Sequence, residues 1–144
     1  MKGSMYNQAK TELFEPGYLL VQRRSMLICK NLLPIIPVRE REAWMLADIE
    51  VLQAVLNTSI NAKKLGLPAK PMLVENISDP KSTLRQAAQK AYAHRPRRHR
   101  EIDIEELYRE LSQKIRLERL QLVPAYKEFV SELTRTLKTL NLIQ

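Results

Sequence analysis

The hydrophobic positions in the last third of the chain repeat at the spacing of an α-helix. Asp103 stands where an N-cap is expected, and Glu106 three residues later completes the pattern of a capping box. Pro124 is the one interruption, and it predicts a kink or a break between Leu122 and Ala125. One helix of this length cannot bury its apolar side alone, so other helices must pack on it. The apolar positions, three or four residues apart, are Ile104, Tyr108, Leu111, Ile115, Leu122, Phe129, Leu133, Leu137 and Leu140.

A similar pattern predicts a second long helix over residues 38–65. Gly66 follows it in the position of a helix-ending residue. Lys63 and Lys64 in the last turn suit the negative end of the helix dipole, and we expect that both serve this capping role rather than ligand contact. The apolar stripe of this helix is Met45, Ile49, Leu52, Leu56 and Ile60.

Two shorter helices are predicted between and before these long ones. The apolar residues 25–33 lie just before a proline and predict a short buried helix. Residues 79–93 predict another, because Asp79 is a good N-cap and Pro80 is favourable as a first helical residue. The apolar side of this helix is narrow and rich in alanine, which allows a neighbouring helix to approach closely.

The composition predicts an all-α fold. The chain has 144 residues, enough for one ordinary domain with a single core. Only three residues are glycine, too few for the tight turns of an all-β protein. Residues 1–24 show no clear period and include the turn-like sequence Glu15-Pro16-Gly17, so we interpret them as an N-terminal arm. We predict one domain, a bundle of four to five helices with a long, Pro-kinked C-terminal helix.

Several features favour a cytoplasmic protein. No apolar run reaches the length of a membrane span, and residues 1–25 lack the pattern of a secretory signal. Cys29 is the only cysteine, which excludes an internal disulfide and a multi-cysteine metal site. We therefore expect a protein of a reducing compartment, not one of the membrane.

The positive charge is concentrated in one short stretch. The formal net charge is +8, and residues 85–100 carry six basic side chains and no acidic one. The centre of this stretch, residues 94–100, is rich in arginine, whose planar fork of donors matches phosphate oxygens. With no acidic neighbour before Glu101, these arginines are expected to be fully exposed, and Pro96 lowers the entropy lost on docking by stiffening the chain. The residues predicted to bind nucleic acid are Arg85, Lys90, Arg95, Arg97, Arg98, His99 and Arg100.

Other interpretations of this basic stretch stay open. Basic runs also serve as nuclear localisation signals or heparin-binding patches, and some bind no ligand. A membrane surface is less favoured, because no amphipathic helix combines basic residues with exposed Trp and Phe. Tyr92, just before the stretch, is predicted to be a core residue, with stacking on a base of a single strand as the alternative.

The sequence contains no recognisable catalytic or metal-binding motif. The three glycines are isolated, so no phosphate-binding loop is formed. His94 and His99 have no cysteine or carboxylate beside them, which argues against a metal site. The glutamates at 105, 106 and 110 are interpreted as forming helical ion pairs with Arg109 and Lys114. We expect no catalysis, cofactor, metal or small-molecule substrate.

In size, helicity and basicity, the chain resembles the small α-helical subunit of CRISPR effector complexes. That subunit lines the path of a nucleic-acid strand in an assembly for antiviral defence. The resemblance covers overall architecture. It implies a non-catalytic subunit of a larger nucleoprotein complex that contacts the phosphate backbone of DNA or RNA with little sequence specificity. A single strand is the favoured ligand.

The alternative function is that of a helical adaptor or assembly factor. In residues 117–130, apolar side chains cover more than one side of the predicted helix, which indicates burial both in the core and in an interface. The partner would be another protein subunit, including a second copy of this chain. The residues predicted for this interface are Val123, Tyr126, Phe129 and Val130.

Overall fold

All the regular secondary structure among the described residues is helical. The structure is a computed structural model, and it describes residues 7–8, 10–24, 33–37, 41–93, 95–96 and 102–144. No β-strand occurs in these ranges, so the all-α prediction is confirmed. No helix among the described residues has both the length and the apolar character needed to cross a bilayer.

Two compact units make up the chain. The larger unit is Arg39–Val123, and the smaller unit combines Met1–Val38 with Pro124–Gln144. Each unit is described by itself, and the single domain expected from the chain length stays a prediction. The helices are α1 Glu15–Arg24, α2 Arg41–Met45, α3 Ile49–Val55, α4 Ala62–Leu65, α5 Pro80–Tyr92, α6 Ile104–Lys114, α7 Leu117–Leu120 and α8 Pro124–Thr139, with a π-helical turn at Lys10–Phe14 and a 3-10 helix at Pro71–Asn76.

The core of the larger unit forms between helices that are distant in sequence. Helix α3 packs on α6, while α2 and α4 pack on α5. The alanines predicted to line α5, Ala87, Ala88 and Ala91, are buried. Leu84, one turn closer to the start of this helix, is buried as well. Burying one leucine side chain contributes about 1.5–3 kcal/mol, so the leucines of this core supply most of its stability. The fully buried leucines are Leu46, Leu52, Leu56, Leu65, Leu84 and Leu111.

The helix ends predicted from capping residues are confirmed. The Asp79 carboxylate accepts a hydrogen bond from the Ser82 N–H at 2.8 Å and begins α5. Asp103 accepts bonds from two backbone N–H groups of the first turn of α6. Gly66 ends α4 with a φ of 84°, a left-handed conformation that glycine adopts without strain.

The prediction of one long helix over residues 38–65 is wrong, because polar side chains interrupt it. The described part of this range contains α2, α3 and α4 as separate helices. The Asp48 carboxylate accepts a bond from the Val51 N–H and starts α3. Asn61 does the same for the Lys64 N–H and starts α4. Side chains of Asp and Asn compete with the helix for backbone donors, and here they divide it.

The last third of the chain also divides, into α6, α7 and α8. The break expected near Pro124 is confirmed, since α7 ends at Leu120 and Pro124 is the first residue of α8. Proline fits this place because the first helical residue needs no N–H partner. A second break lies at Ile115 and Arg116, where the sequence has no glycine or proline. Its cause is a contact with Asp48.

The N-terminal region differs from its prediction as well. Residues Glu15, Pro16 and Gly17 form the first turn of α1 and not an isolated turn, so residues 10–24 are helical. Pro16 is the second residue of α1, which follows the π-helical turn directly, so its missing N–H falls where the backbone changes from one type of helix to the other. The short helix predicted over residues 25–33 lies outside the described residues except for its last position.

The Asp48 carboxylate joins two distant parts of the larger unit. Its side chain is only 1% exposed. The Arg116 guanidinium donates to both of its oxygens, each at 2.7 Å, and the Arg116 backbone N–H adds a bond at 3.2 Å. Glu50 extends the network by accepting from Arg116 at 2.7 Å and from Arg119 at 2.6 Å. The start of α3 is thereby fixed to the junction of α6 and α7.

The network sets the protonation states of its members. Burial acts to raise the pKa of Asp48, but the hydrogen bonds from Arg116 and Val51 outweigh it and hold this pKa below its usual value. The hydrogen bond and charge of Arg116 lower the pKa of Glu50. Asp48 and Glu50 in turn raise the pKa of Arg116. All three groups are therefore charged at neutral pH.

Replacing Asp48 by Asn should destabilise the protein. Breaking a buried ion pair costs about 3–5 kcal/mol, and we expect the lower end because Arg116 can still reach water. Urea denaturation followed by circular dichroism measures the change in the free energy of unfolding. The matched control is Glu110→Gln, which removes the exposed pair with Lys114 and should leave the denaturation midpoint nearly unchanged. Equal effects of the two substitutions would contradict the assigned role of Asp48.

The same substitution should change how stability depends on pH. The pKa of Asp48 is lower in the folded than in the unfolded protein, so its contribution is complete above the unfolded value, about 3.9, and is lost as the pH falls through the folded value. Wild-type stability should therefore fall more steeply below about pH 4 than that of Asp48→Asn. Urea midpoints measured at a series of acidic pH values give both slopes. Identical slopes would show that Asp48 is not the titrating group.

Candidate nucleic-acid interface

Two stretches of the larger unit contain no acidic residue. The first, residues 51–74, holds three lysines, at 63, 64 and 70. The second, residues 80–100, holds seven basic residues and includes the whole stretch predicted to bind nucleic acid. Helix α4 belongs to the first and α5 to the second, and these two helices pack together. The fold therefore combines two basic segments into one region without carboxylates of its own, which we call the α4–α5 region.

The second stretch is attached to the first by its own cations. The Lys90 ammonium donates to the Leu65 carbonyl oxygen at 3.3 Å, and the Arg95 guanidinium donates to the Leu56 carbonyl oxygen at 2.7 Å. Leu65 is the last residue of α4, and Leu56 is the C-cap of α3. Carbonyl groups at a helix C-terminus lack helical partners and carry the negative end of the dipole, so they attract cations.

Other cations of the region remain available to a ligand. Lys63, Lys64, Lys70 and Arg85 are exposed, and no carboxylate in the described ranges lies within ion-pair distance of them. Lys90 is also exposed, and its ammonium has three donors of which the Leu65 carbonyl uses one. Unneutralised charges of one sign create a field that attracts counter-ions.

The basic residues of α6 and α7 behave differently, because carboxylates bind them. Arg109 pairs with Glu106 at 2.5 Å, and Lys114 pairs with Glu110 at 2.5 Å. These are helical ion pairs of the kind that the sequence predicts. Arg116 and Arg119 share Glu50. Cations of α6 and α7 are thus paired with carboxylates, whereas Lys63, Lys64 and Arg85 of α4 and α5 have no carboxylate of the described residues within ion-pair distance.

The structure places the predicted site residues in three groups. Arg85 is exposed on α5, and Lys90 is exposed near the end of the same helix. Arg95 is a correction, because the sequence predicts full exposure and the residue is instead half-buried and bonded to the Leu56 carbonyl. The remaining predicted residues lie outside the described part of the chain: Arg97, Arg98, His99 and Arg100.

Arg95 also covers the aromatic ring of Tyr92. Its guanidinium carbon lies 3.8 Å from the ring centroid, the geometry of a cation–π contact. Tyr92 is predicted to be a core residue, and the structure shows it half-buried. A base could reach this face of the ring only by displacing Arg95, so the stacking role of Tyr92 stays a prediction.

Lys63 and Lys64 are candidate site residues, although the sequence alone assigns them another role. Because they stand in the last turn of a helix, the sequence predicts that they cap it. The structure adds that they immediately precede Leu65, the residue whose carbonyl binds Lys90. The sequence does contain a signal that Lys63 and Lys64 could bind an anion, namely the absence of acidic residues over 51–74. It becomes useful only once the packing of α4 on α5 is known.

The predicted protein interface is not a single exposed surface. Val123 is fully buried, and its part in a protein interface stays a prediction. Tyr126, Phe129 and Val130 are half-buried on α8, with the rings of Tyr126 and Phe129 6.1 Å apart. The exposed apolar residues in this part of the sequence are instead Leu117 and Leu122.

The chemistry of the region is that of ion binding. No group of three or more His, Cys, Asp or Glu side chains that could hold a metal ion occurs among the described residues. A pocket of about 180 Å³ opens near α3, but the carboxylate on its wall, Glu50, is bound by two arginines. Burial and the charge of Glu42 raise the pKa of Tyr108, which keeps this phenol neutral. Neither Glu50 nor Tyr108 therefore supplies the negative charge that the cations of the α4–α5 region lack.

Comparison with known proteins gave no match: no protein-family model matches the chain, and no curated protein or solved structure shows a significant similarity. The resemblance to the small subunit of CRISPR effector complexes therefore rests on size, helicity and charge. Residue roles have to be argued from the contacts of this chain alone.

Replacing Arg95 by Ala should lower stability, unlike the same change at Arg85. The Arg95 variant leaves the Leu56 carbonyl without its cation and uncovers Tyr92, which should reduce the free energy of unfolding by about 1–3 kcal/mol. Arg85 makes no such bond, and Arg85→Ala should stay within about 0.5 kcal/mol of wild type. Urea denaturation of both variants measures the difference. If Arg95→Ala were as stable as wild type, the contacts of Arg95 would not contribute to folding, and Arg95 would again be interpreted as an exposed phosphate ligand.

Proposed function

We propose that the protein is a non-catalytic nucleic-acid-binding subunit that contacts the phosphate backbone through its α4–α5 region. The observation that carries this proposal is the separation of charge within the larger unit. Two acid-free segments pack together, while Glu50, Glu106 and Glu110 of the same unit bind cations of α6, of α7 and of the junction between them. A polyanion supplies the missing negative charge and releases its own counter-ions on binding.

Phosphate contact, rather than base readout, fits the side chains available. Lysine and arginine bind phosphate oxygens without regard to sequence. Over residues 51–96, Tyr92 is the only aromatic residue of the Phe, Trp and Tyr class, and Arg95 covers its ring. The proposed binding is therefore strongly dependent on salt and weakly dependent on sequence. We retain a single strand as the favoured ligand, because a flexible strand can follow a short basic surface.

A larger nucleoprotein complex is the proposed setting. A surface of a few cations provides modest affinity at physiological salt, and additional subunits would lengthen the contact along the strand. The small subunit of CRISPR effector complexes is one example of such an arrangement. Cytoplasmic localisation belongs to the same proposal.

A second candidate function is that of a helical adaptor. It is favoured by Leu117 and Leu122, which are exposed close together in the sequence. Isolated exposed leucines are common on protein surfaces. This observation therefore supports the adaptor function less strongly than the charge separation supports nucleic-acid binding. The two functions are compatible, since a subunit of a nucleoprotein complex contacts both nucleic acid and protein.

Neutralising three exposed cations of the α4–α5 region should weaken nucleic-acid binding. The variant Lys63→Gln/Lys64→Gln/Arg85→Gln removes no side-chain hydrogen bond seen in the structure, so its thermal stability should match that of wild type. Its affinity for a labelled single-stranded oligonucleotide should fall on the order of tenfold at low salt. The slope of log K against log salt should flatten by roughly 0.7 for each phosphate that the variant no longer binds. Fluorescence anisotropy at several salt concentrations gives both quantities.

The matched control removes the same charge from elsewhere. Arg109→Gln/Lys114→Gln/Lys127→Gln also lowers the net charge by three, at exposed positions outside the proposed surface. Its affinity and salt slope should stay close to wild type. Equal losses of affinity in both variants would mean that only overall charge matters, and unchanged binding in the first variant would remove the proposed surface.

A further inference from the structure

Helix α1 and the π-helical turn before it expose an unusual amount of apolar surface. Leu13 is 77% exposed, and Leu19, Leu20 and Val21 are each about half exposed. No described side chain of Lys10–Arg24 is buried. The aromatic rings of Phe14 and Tyr18 stack on each other, 5.8 Å apart and nearly parallel, and remain only half-buried. Four large aliphatic side chains in nine residues form a patch of the kind that marks an interaction surface.

The helix has little within the described residues to stabilise it. Isolated helices of about 12–15 residues or fewer are marginal in water, and the whole helical segment Lys10–Arg24, including its π-helical turn, has only 15 residues. An ion pair between Lys10 and Glu132 on α8 connects this segment to the C-terminal helix of the same unit. Gly17 adds a further cost, because glycine in a helix loses more backbone entropy than alanine does. A surface that covers the apolar side chains would supply the missing stability.

The charges of the segment identify the partner. Glu12 and Glu15 lie toward its N-terminal end, and Arg23 and Arg24 are its last two residues. Glu15 and Arg24 are separated by roughly 13 Å along the axis, too far for an ion pair within one helix. In an antiparallel pair of identical segments, the acidic end of each lies beside the basic end of the other. The segment is therefore complementary to itself under a two-fold rotation.

We propose that Lys10–Arg24 is the interface of a homodimer, in which it pairs antiparallel with the same segment of a second copy. The apolar side chains Leu13, Leu20 and Val21 pack across the two-fold axis, and Glu12 of one copy contacts Arg23 of the other, since both flank the apolar side of the helix. Gly17 lies close to the middle of the segment, and no atom lies within 4 Å of the position its Cβ would take. The absence of a side chain there allows two backbones to approach closely.

Two simpler accounts explain only part of these observations. Acidic residues at the start of a helix and basic residues at its end suit the helix dipole, but the dipole does not account for the exposed leucines. An anionic membrane would bind the leucines and arginines but would repel Glu12 and Glu15, which lie on the same short segment. Pairing with a second copy accounts for the charges and the apolar side chains together.

Charge reversal tests the proposal, because each of two charge-reversed variants should dimerise poorly by itself but should form a heterodimer with the other. The first variant is Glu12→Arg/Glu15→Arg, and the second is Arg23→Glu/Arg24→Glu. All four residues are at least partly exposed, and circular dichroism checks that both variants keep the wild-type helix content. Sedimentation equilibrium over a wide range of protein concentration measures association. Wild type should dimerise, and each variant alone should associate about tenfold more weakly or not at all. An equimolar mixture of the two variants should regain the wild-type affinity as a heterodimer.

A second substitution tests the close approach at Gly17. Gly17→Ala should increase helix content, since alanine favours a helix and has open space here, yet it should weaken the dimer by separating the backbones. A monomeric wild type, or a mixture of variants that stays monomeric, would overturn the proposal. Binding of monomeric wild type to phosphatidylserine vesicles, with no association in solution, would overturn it in favour of a membrane surface. Loss of oligonucleotide binding does not bear on this test, because its residues lie outside the α4–α5 region.

Discussion

The buried carboxylate of Asp48 is the constraint on which the larger unit depends. An ionised carboxyl group that is almost fully removed from water is stable only when its oxygens are bonded, and here Arg116 and the first turn of α3 provide those bonds. The arrangement determines where α3 begins and where α6 ends, since Arg116 has to leave the helix to reach Asp48 with its backbone N–H as well as its side chain. The bonds of one carboxylate thereby lie at two helix boundaries, the start of α3 and the end of α6.

This use of the carboxylates has a consequence for the cations of the same unit. Glu50 is bound by Arg116 and Arg119, and Glu106 and Glu110 are bound within α6. No acidic residue is present over 51–74 or 80–100, and no carboxylate of the described residues lies within ion-pair distance of Lys63, Lys64 or Arg85. Two cations of these stretches, Lys90 and Arg95, bind helix C-termini, while Lys63, Lys64 and Arg85 remain for a ligand. The proposed function follows from this unequal pairing of the charged residues.

Much of the fold could be predicted from the sequence, for reasons that are local. The N-caps at Asp79 and Asp103, the left-handed Gly66 and the start of α8 at Pro124 each depend on residues within one turn of the helix. The break at Arg116 could not be predicted, because its cause is an aspartate 68 positions earlier in the chain. The same holds for the site. The concentration of arginine over 94–100 is evident in the sequence, whereas the attachment of Arg95 and the addition of Lys63 and Lys64 require knowledge of which helices pack together.

The central claim is that a polyanion binds to the α4–α5 region and not to the neutralised region of α6 and α7. Hydrogen–deuterium exchange with and without a saturating single-stranded oligonucleotide of mixed sequence tests this most directly, because it maps binding without any substitution. The account predicts slower exchange of backbone amides in peptides covering residues 62–70 and 81–96, with no change over 104–120. Protection confined to 104–120, or no protection in any peptide despite a binding concentration of oligonucleotide, would contradict it.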